Sequence, residues 1–277
     1  MSTFPPPPGR MVDLSHGATH FQGSGPIDGK PILLIHGVAS WSFAWDPLIP
    51  SLEAAGRRII RLDLYGRGFS ARPKIDHTVD LYVDQALELL DALEVERPVD
   101  VVGWSMGGAV AVALTDKAPQ RVDRLALMAP AGLQAGSQIA AMVLKIPAVG
   151  EVMSSLFVRA AMRRGVAQNF TNFARAPEFL AGMLRSLESP GYSRSVLSCL
   201  RNFPFRALSP TYARVGRQER RICLLWGTRD RLVPFSAHKQ ALALLPNAEF
   251  VRLEGLDHAC HWEDVDLVAK ALTRFLA

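Results

Sequence analysis

The chain has 277 residues, 49% of them hydrophobic, a net charge of +5 and three cysteines. That length buries a substantial core, as one α/β domain or one domain with an insertion, and no apolar run reaches the ~20 residues of a membrane span. Cys199, Cys223 and Cys260 make an odd set without metal-ligand spacing, which excludes a disulfide framework and points to reduced thiols and a cytoplasmic setting.

Residues 1–24 read as a lead-in with opening strands. Met1–Arg10 holds four consecutive prolines and no apolar h-region, so no secretory signal is expected there. Met11–Gln22 suits an opening hairpin. Strands are predicted at Pro31–Ile35, Arg58–Leu62, Val99–Val102, Leu125–Met128, Ile222–Trp226 and Ala248–Leu253, several of them continuously apolar. Helical spacing of Val79, Tyr82, Val83, Ala86, Leu87 and Leu90 predicts a helix over Val79–Leu93. Further helices are expected at Gly107–Thr115, His238–Leu245 and Val265–Leu276. Strands that are apolar throughout and alternate with helices indicate a mostly parallel, doubly wound α/β sheet covered on both faces.

The alternation stops between Ala131 and Arg220. This stretch is rich in Ala, Met, Phe, Leu and Arg, with helices expected at 139–146, 151–164, 166–174, 177–187 and 193–201. It reads as a helical cap, residues 131–219, inserted after the sixth strand into a core of residues 25–130 and 220–277. The cap holds 11 Lys/Arg against 4 Asp/Glu, an excess of seven. A solvated basic face is the ordinary reading of such an excess. Without a basic run or interleaved aromatics, nucleic acid is not an expected partner. Contact with an anionic substrate or membrane surface is the remaining use.

Gly103-Trp104-Ser105-Met106-Gly107 lies between a predicted strand and a predicted helix. A serine on such a turn stands clear of the backbone, and the helix N-terminus favours negative charge beside it. Ser105 therefore reads as an activated nucleophile. In doubly wound sheets the functional loops follow the C-terminal strand ends. The loop after Ile222–Trp226 carries Asp230, and the loop after Ala248–Leu253 carries His258. Singly, each is an ordinary loop residue. In the order Ser105, Asp230, His258 they form a nucleophile, the acid that orients the base, and the base. His261 and Asp257 are weaker choices: His258 sits closer to the strand end, and adjacent side chains rarely face one another. Backbone N–H groups of Met106 and Val38 are the expected oxyanion donors. His36 is expected to be packed, buttressing the loop of Val38.

On these residues the chain resembles the α/β-hydrolase superfamily. The motifs are His36-Gly37, then Asp63-Leu64-Tyr65-Gly66-Arg67-Gly68-Phe69-Ser70, then the Ser105 elbow with Gly108, then Asp230 with Pro234 and His258 with Glu263. The resemblance runs from Pro31 to Ala277. It departs at Val265, where relatives often carry proline. Asp63 is expected to brace a turn rather than react. Serine at the elbow disfavours haloalkane dehalogenases and epoxide hydrolases, which use aspartate there. Gly103-x-Ser105-x-Gly107-Gly108 lacks the middle glycine of a dinucleotide fingerprint.

The resemblance implies a lid-bearing carboxylesterase or lipase that uses a small-molecule ester and no cofactor or metal. Met142, Met153, Phe157, Met162, Phe170, Phe173 and Met183 in the cap suit an apolar acyl or alkyl group. The alternative is a carbon–carbon bond hydrolase of ring-cleavage products. Trp262-Glu263 is similar to that group, whereas Ala259 replaces the tryptophan that often follows its histidine. A perhydrolase or acyltransferase, and a ligand receptor on the same fold, are further readings.

Overall fold

The computed structural model describes residues 8–133, 170–171, 173–187 and 189–277. Eight strands make one sheet: β1 Arg10–Leu14, β2 Gly17–Ser24, β3 Pro31–Ile35, β4 Arg58–Leu62, β5 Val99–Trp104, β6 Val122–Met128, β7 Ile222–Gly227 and β8 Glu249–Leu253. Their order is β1-β2-β4-β3-β5-β6-β7-β8. Strand β2 pairs antiparallel with β1 and β4, and every other pairing is parallel. The expected hairpin is β1–β2, turning between Leu14 and Gly17.

The apolar strands are central because both of their faces are covered. Leu33, Ile35 and Val101 join one hydrophobic cluster with Leu89 and Val110, while Ile32, Leu34 and Val102 join another with Trp45 and Phe275. Successive residues of a strand point to opposite faces, so only a continuous apolar run can fill both layers.

The described helices are α1 Ile49–Ala54, α2 Val79–Ala92, α3 Met106–Lys117, α4 Ala176–Leu187, α5 Tyr192–Asn202, α6 Ser209–Val215, α7 His238–Leu244, α8 Cys260–Glu263 and α9 Val265–Leu276. Thr78 caps α2 by accepting from Leu81 N at 3.2 Å. Asp264 caps α9 by accepting from Leu267 N at 3.0 Å. Val265 thus begins the last helix without the proline relatives often use, because the aspartate cap satisfies a free first-turn amide.

Several helical pieces escaped the periodicity, three of them longer than one 3-10 turn. One is the 3-10 segment Ser42–Leu48 running into α1; the others are α6 and α8. Pro50 and Pro210 lie in the first turns of α1 and α6. There a missing N–H costs nothing, so proline fits the start of a helix.

Helices α4, α5 and α6 lie between β6 and β7, as cap helices following the sixth strand. Two match the expected 177–187 and 193–201 to within one residue at each end. The expected helices at 139–146 and 151–164, with Met142, Met153, Phe157 and Met162, lie outside the described residues. The described part of 166–174 is not an α-helix: Phe170 and Thr171 are irregular, and Phe173–Arg175 form a 3-10 turn. Among the described residues no helix is long and apolar enough to cross a membrane. Cys199, Cys223 and Cys260 are free and buried.

Candidate active site

Strand β5 is buried along its whole length and delivers Ser105 to the head of α3. Ser105 has φ 58° and ψ −121°, a conformation that costs a non-glycine residue ~1–3 kcal/mol. Its surroundings hold it there. Ser105 N donates to Met128 O at 2.9 Å, and Ser105 O accepts from Gly108 N at 3.0 Å and Ala131 N at 2.9 Å.

The flanking glycines permit the turn. A Cβ on Gly103 would lie 2.3 Å from Gly107 O, and one on Gly107 would lie 2.0 Å from Ile35 O. Both obstacles are backbone and cannot swing aside. Gly107→Ala is therefore expected to destabilise the fold by at least ~3 kcal/mol, read as a shift of the denaturant midpoint. A midpoint equal to that of the parent chain would contradict the elbow geometry.

His258 and Asp230 come together as expected. His258 Nδ1 lies 2.8 Å from Asp230 Oδ2, and both residues are buried. Asp230 Oδ1 accepts from Leu232 N and Val233 N, each at 2.9 Å. With Nδ1 donating to the carboxylate, Nε2 is left as the imidazole's acceptor. It is buried and has no hydrogen-bond partner. His258 is also fixed through its backbone: its N–H donates to Asp257 Oδ1 at 2.9 Å, and its carbonyl accepts from Trp104 Nε1 at 2.9 Å.

Ser105 and His258 line one cavity with Val38, Trp104, Phe179 and Met183. The Ser105 hydroxyl does not close a hydrogen bond to Nε2 in this state. Such contacts are commonly long in unliganded sites and tighten once substrate is bound. Met106 opens α3, where the first amides have no partner within the helix.

The competing residues sit elsewhere. Asp257 faces away from the imidazole, accepting from Arg231 Nε at 2.9 Å and from the His258 amide. His261 is packed between Trp45 and Trp104, at ring distances of 5.4 and 4.8 Å. Burial first, then neighbouring His258, pushes its pKa down to about 3. His36 Nδ1 donates to Gly37 O at 2.8 Å, and its Nε2 accepts from Leu64 N at 3.0 Å. Burial lowers its pKa to about 4.

Asp63 braces its turn: Oδ1 accepts from Ser42 N at 2.7 Å, and Oδ2 accepts from Phe69 N at 2.9 Å and meets His20 Nδ1 at 2.8 Å. Two residues make contacts here that were not expected from the sequence. Trp104 anchors the His258 carbonyl. Glu263 accepts from Asp257 N and from Thr171 N, tying the histidine loop to the segment leading into α4. An x position inside a motif and a residue in a short helix carry no signal of such contacts.

The buried imidazoles make stability depend on pH. His36 and His261 bind protons more readily when unfolded, so acid favours the unfolded chain between the ordinary histidine pKa and their depressed values. Stability should rise from pH 4 to about 6.5 and then level off. Each ring should cost about 2 kcal/mol at pH 5 relative to pH 7. Urea unfolding at a series of pH values measures this, and a flat profile between pH 5 and 7 would count against two neutral buried rings.

The alpha/beta hydrolase fold family model matches residues 30–265. The chain belongs to this family. Among solved structures, this alpha/beta hydrolase is similar to the enol-lactonase from Burkholderia xenovorans LB400, with a TM-score of 0.83 at 22% identity over 96% of this chain and 99% of that one. It is likewise similar to the esterase EaEST from Exiguobacterium antarcticum, with a TM-score of 0.84 at 15% identity over 97% and 99%. These likenesses establish the fold alone. In sequence it is similar to 2-hydroxymuconate semialdehyde hydrolase of Pseudomonas sp. (strain CF600), 41% identical over 130 residues. That match spans 45% of this chain and 44% of the relative, under half of either.

Proposed function

We propose that this alpha/beta hydrolase is a serine hydrolase that cleaves carboxylic esters with an apolar acyl or alkyl group. The reading rests above all on the 2.8 Å Asp230–His258 pair, which leaves an unpartnered Nε2 in the cavity that Ser105 lines. His258 takes the Ser105 proton as the hydroxyl attacks the ester carbonyl. Asp230 holds the tautomer and stabilises the imidazolium. The N–H groups of Val38 and Met106 receive the oxyanion. The alcohol leaves with the proton from His258, and water activated by the same imidazole releases the acid. The segment 131–219 acts as a lid, with Phe179 and Met183 of α4 on the substrate side.

The wall supports an uncharged substrate. Trp104 spends its only polar hydrogen on His258, and no residue described on the cavity wall other than His258 carries an ionisable side chain. A second reading, hydrolysis of a carbon–carbon bond in a ring-cleavage product, is favoured by the 41% identity to the semialdehyde hydrolase. The same three side chains would serve it.

One experiment separates the readings. The protein is incubated with p-nitrophenyl esters of increasing chain length and, in parallel, with a yellow dienolate ring-cleavage product. Release of p-nitrophenolate with a chain-length optimum supports the ester reading. Bleaching of the dienolate without ester turnover supports the second. No turnover of either, with no labelling by a fluorophosphonate, would leave a binding protein on this fold.

A further inference from the structure

Arg57 and Arg67 are both buried, and their surroundings treat them differently. Arg57 is neutralised by the buried carboxylate of Asp100. Arg67 is 0% exposed and makes no ion pair among the described residues. Its Nε donates to Val38 O, while Nη1 and Nη2 have no hydrogen-bond partner. The side chains that act most strongly on the guanidinium are those of Tyr82, Cys199 and Tyr192, and no carboxylate is among them. An unpaired buried charge costs several kcal/mol.

Its position suggests what offsets that cost. Arg67 grips the loop of Val38 through the Val38 carbonyl. On its other side lies Cys199, whose Sγ is 3.5 Å from Met106 Sδ. Both residues assigned as oxyanion donors are thus within one or two contacts of the same unneutralised cation. The charge is felt nearby: after burial, it is the next influence lowering the pKa of His77 to about 4.

We propose that Arg67 is a positioning residue that holds the Val38 loop and sets an uncompensated positive charge behind the oxyanion hole. Negative charge developing on the substrate carbonyl supplies the counter-charge that the resting protein lacks. This rests on the serine hydrolase reading. A fixed cation in a dry, preorganised site acts on charge that appears only in the transition state. It should therefore act on kcat and leave KM nearly unmoved.

The test compares Arg67→Met and Arg67→Lys in the full chain with p-nitrophenyl butyrate. Affinity is measured for butylboronic acid, which adds to the serine as an anionic tetrahedral adduct, and for N-butylbutyramide as a neutral competitor. Arg67→Met should lower kcat roughly 10- to 100-fold, weaken the boronate by a similar factor and leave KM and the amide within about twofold. Arg67→Lys should recover most of both losses. Equal weakening of boronate and amide, or an unchanged kcat, overturns the proposal. If Arg67→Met does not fold, Arg67→Lys decides: retained boronate affinity supports the charge, and its loss in a folded Lys variant overturns it. If the parent chain is not labelled by a fluorophosphonate at Ser105, the serine hydrolase reading falls and this one with it. A labelled parent with an insensitive Arg67→Met removes this inference alone.

Discussion

Ser105→Ala should cut ester turnover by about 10⁴-fold or more and abolish labelling by a fluorophosphonate. Its thermal midpoint should stay within a few degrees of the parent. Alanine keeps a Cβ at φ 58°, so the backbone strain is the same and only the hydroxyl is lost. Ser105→Gly separates strain from chemistry. Glycine adopts this conformation without steric cost, and the four hydrogen bonds made by the backbone of residue 105 remain available. That variant should be just as inactive, yet more stable by ~1 kcal/mol. Together the two variants would show that the fold tolerates strain here to hold a side chain. Turnover by Ser105→Ala within tenfold of the parent, or labelling at another residue, would place the nucleophile elsewhere.

Asp230→Asn should lower kcat/KM by roughly 10³- to 10⁴-fold. The hydrogen bonds around Asp230 explain why so small a change is damaging. Oδ1 accepts from Leu232 N and Val233 N, while Oδ2 faces His258 Nδ1. Those two amides need an acceptor, so the asparagine oxygen takes the Oδ1 place. Its NH₂ then faces His258 Nδ1, which must accept. The ring proton moves to Nε2, and the imidazole can no longer take a proton from Ser105. Nitrogen-15 chemical shifts of His258 would report this inverted tautomer directly. A variant with full activity and the parent tautomer would contradict Asp230 as the orienting acid.

Much of this protein was legible along the chain. β3 and β4 match their expected bounds to the residue; for β3, an apolar run bracketed by polar turns has few alternatives. The elbow was readable because Gly103 and Gly107 leave no room for a Cβ. His258 and Asp230 were recognisable by their order after the strand ends, since a parallel sheet delivers all its C-terminal loops to one edge. The helices α1 and α6 span only 6 and 7 residues, too short to show a helical period, and each carries a proline in its first turn. The described part of the expected 166–174 helix shows the opposite error: Phe170 is not helical, and its side chain is buried against Phe179.

The sequence alone determined the order of strands and helices, the turn that presents Ser105 and the set of residues able to do acid–base chemistry. These follow from local sterics and hydrophobic periodicity, which act over a few residues. Only the tertiary structure decided which carboxylate meets His258, because the ring pairs with Asp230, 28 residues away, while the adjacent Asp257 receives only the backbone amide. It also decided that Trp104 anchors the histidine loop, that Glu263 ties that loop to the segment before α4 and that Arg67 is buried without a counter-charge. Each of these depends on contacts between segments tens to more than a hundred residues apart, where packing sets the geometry and no local preference announces it.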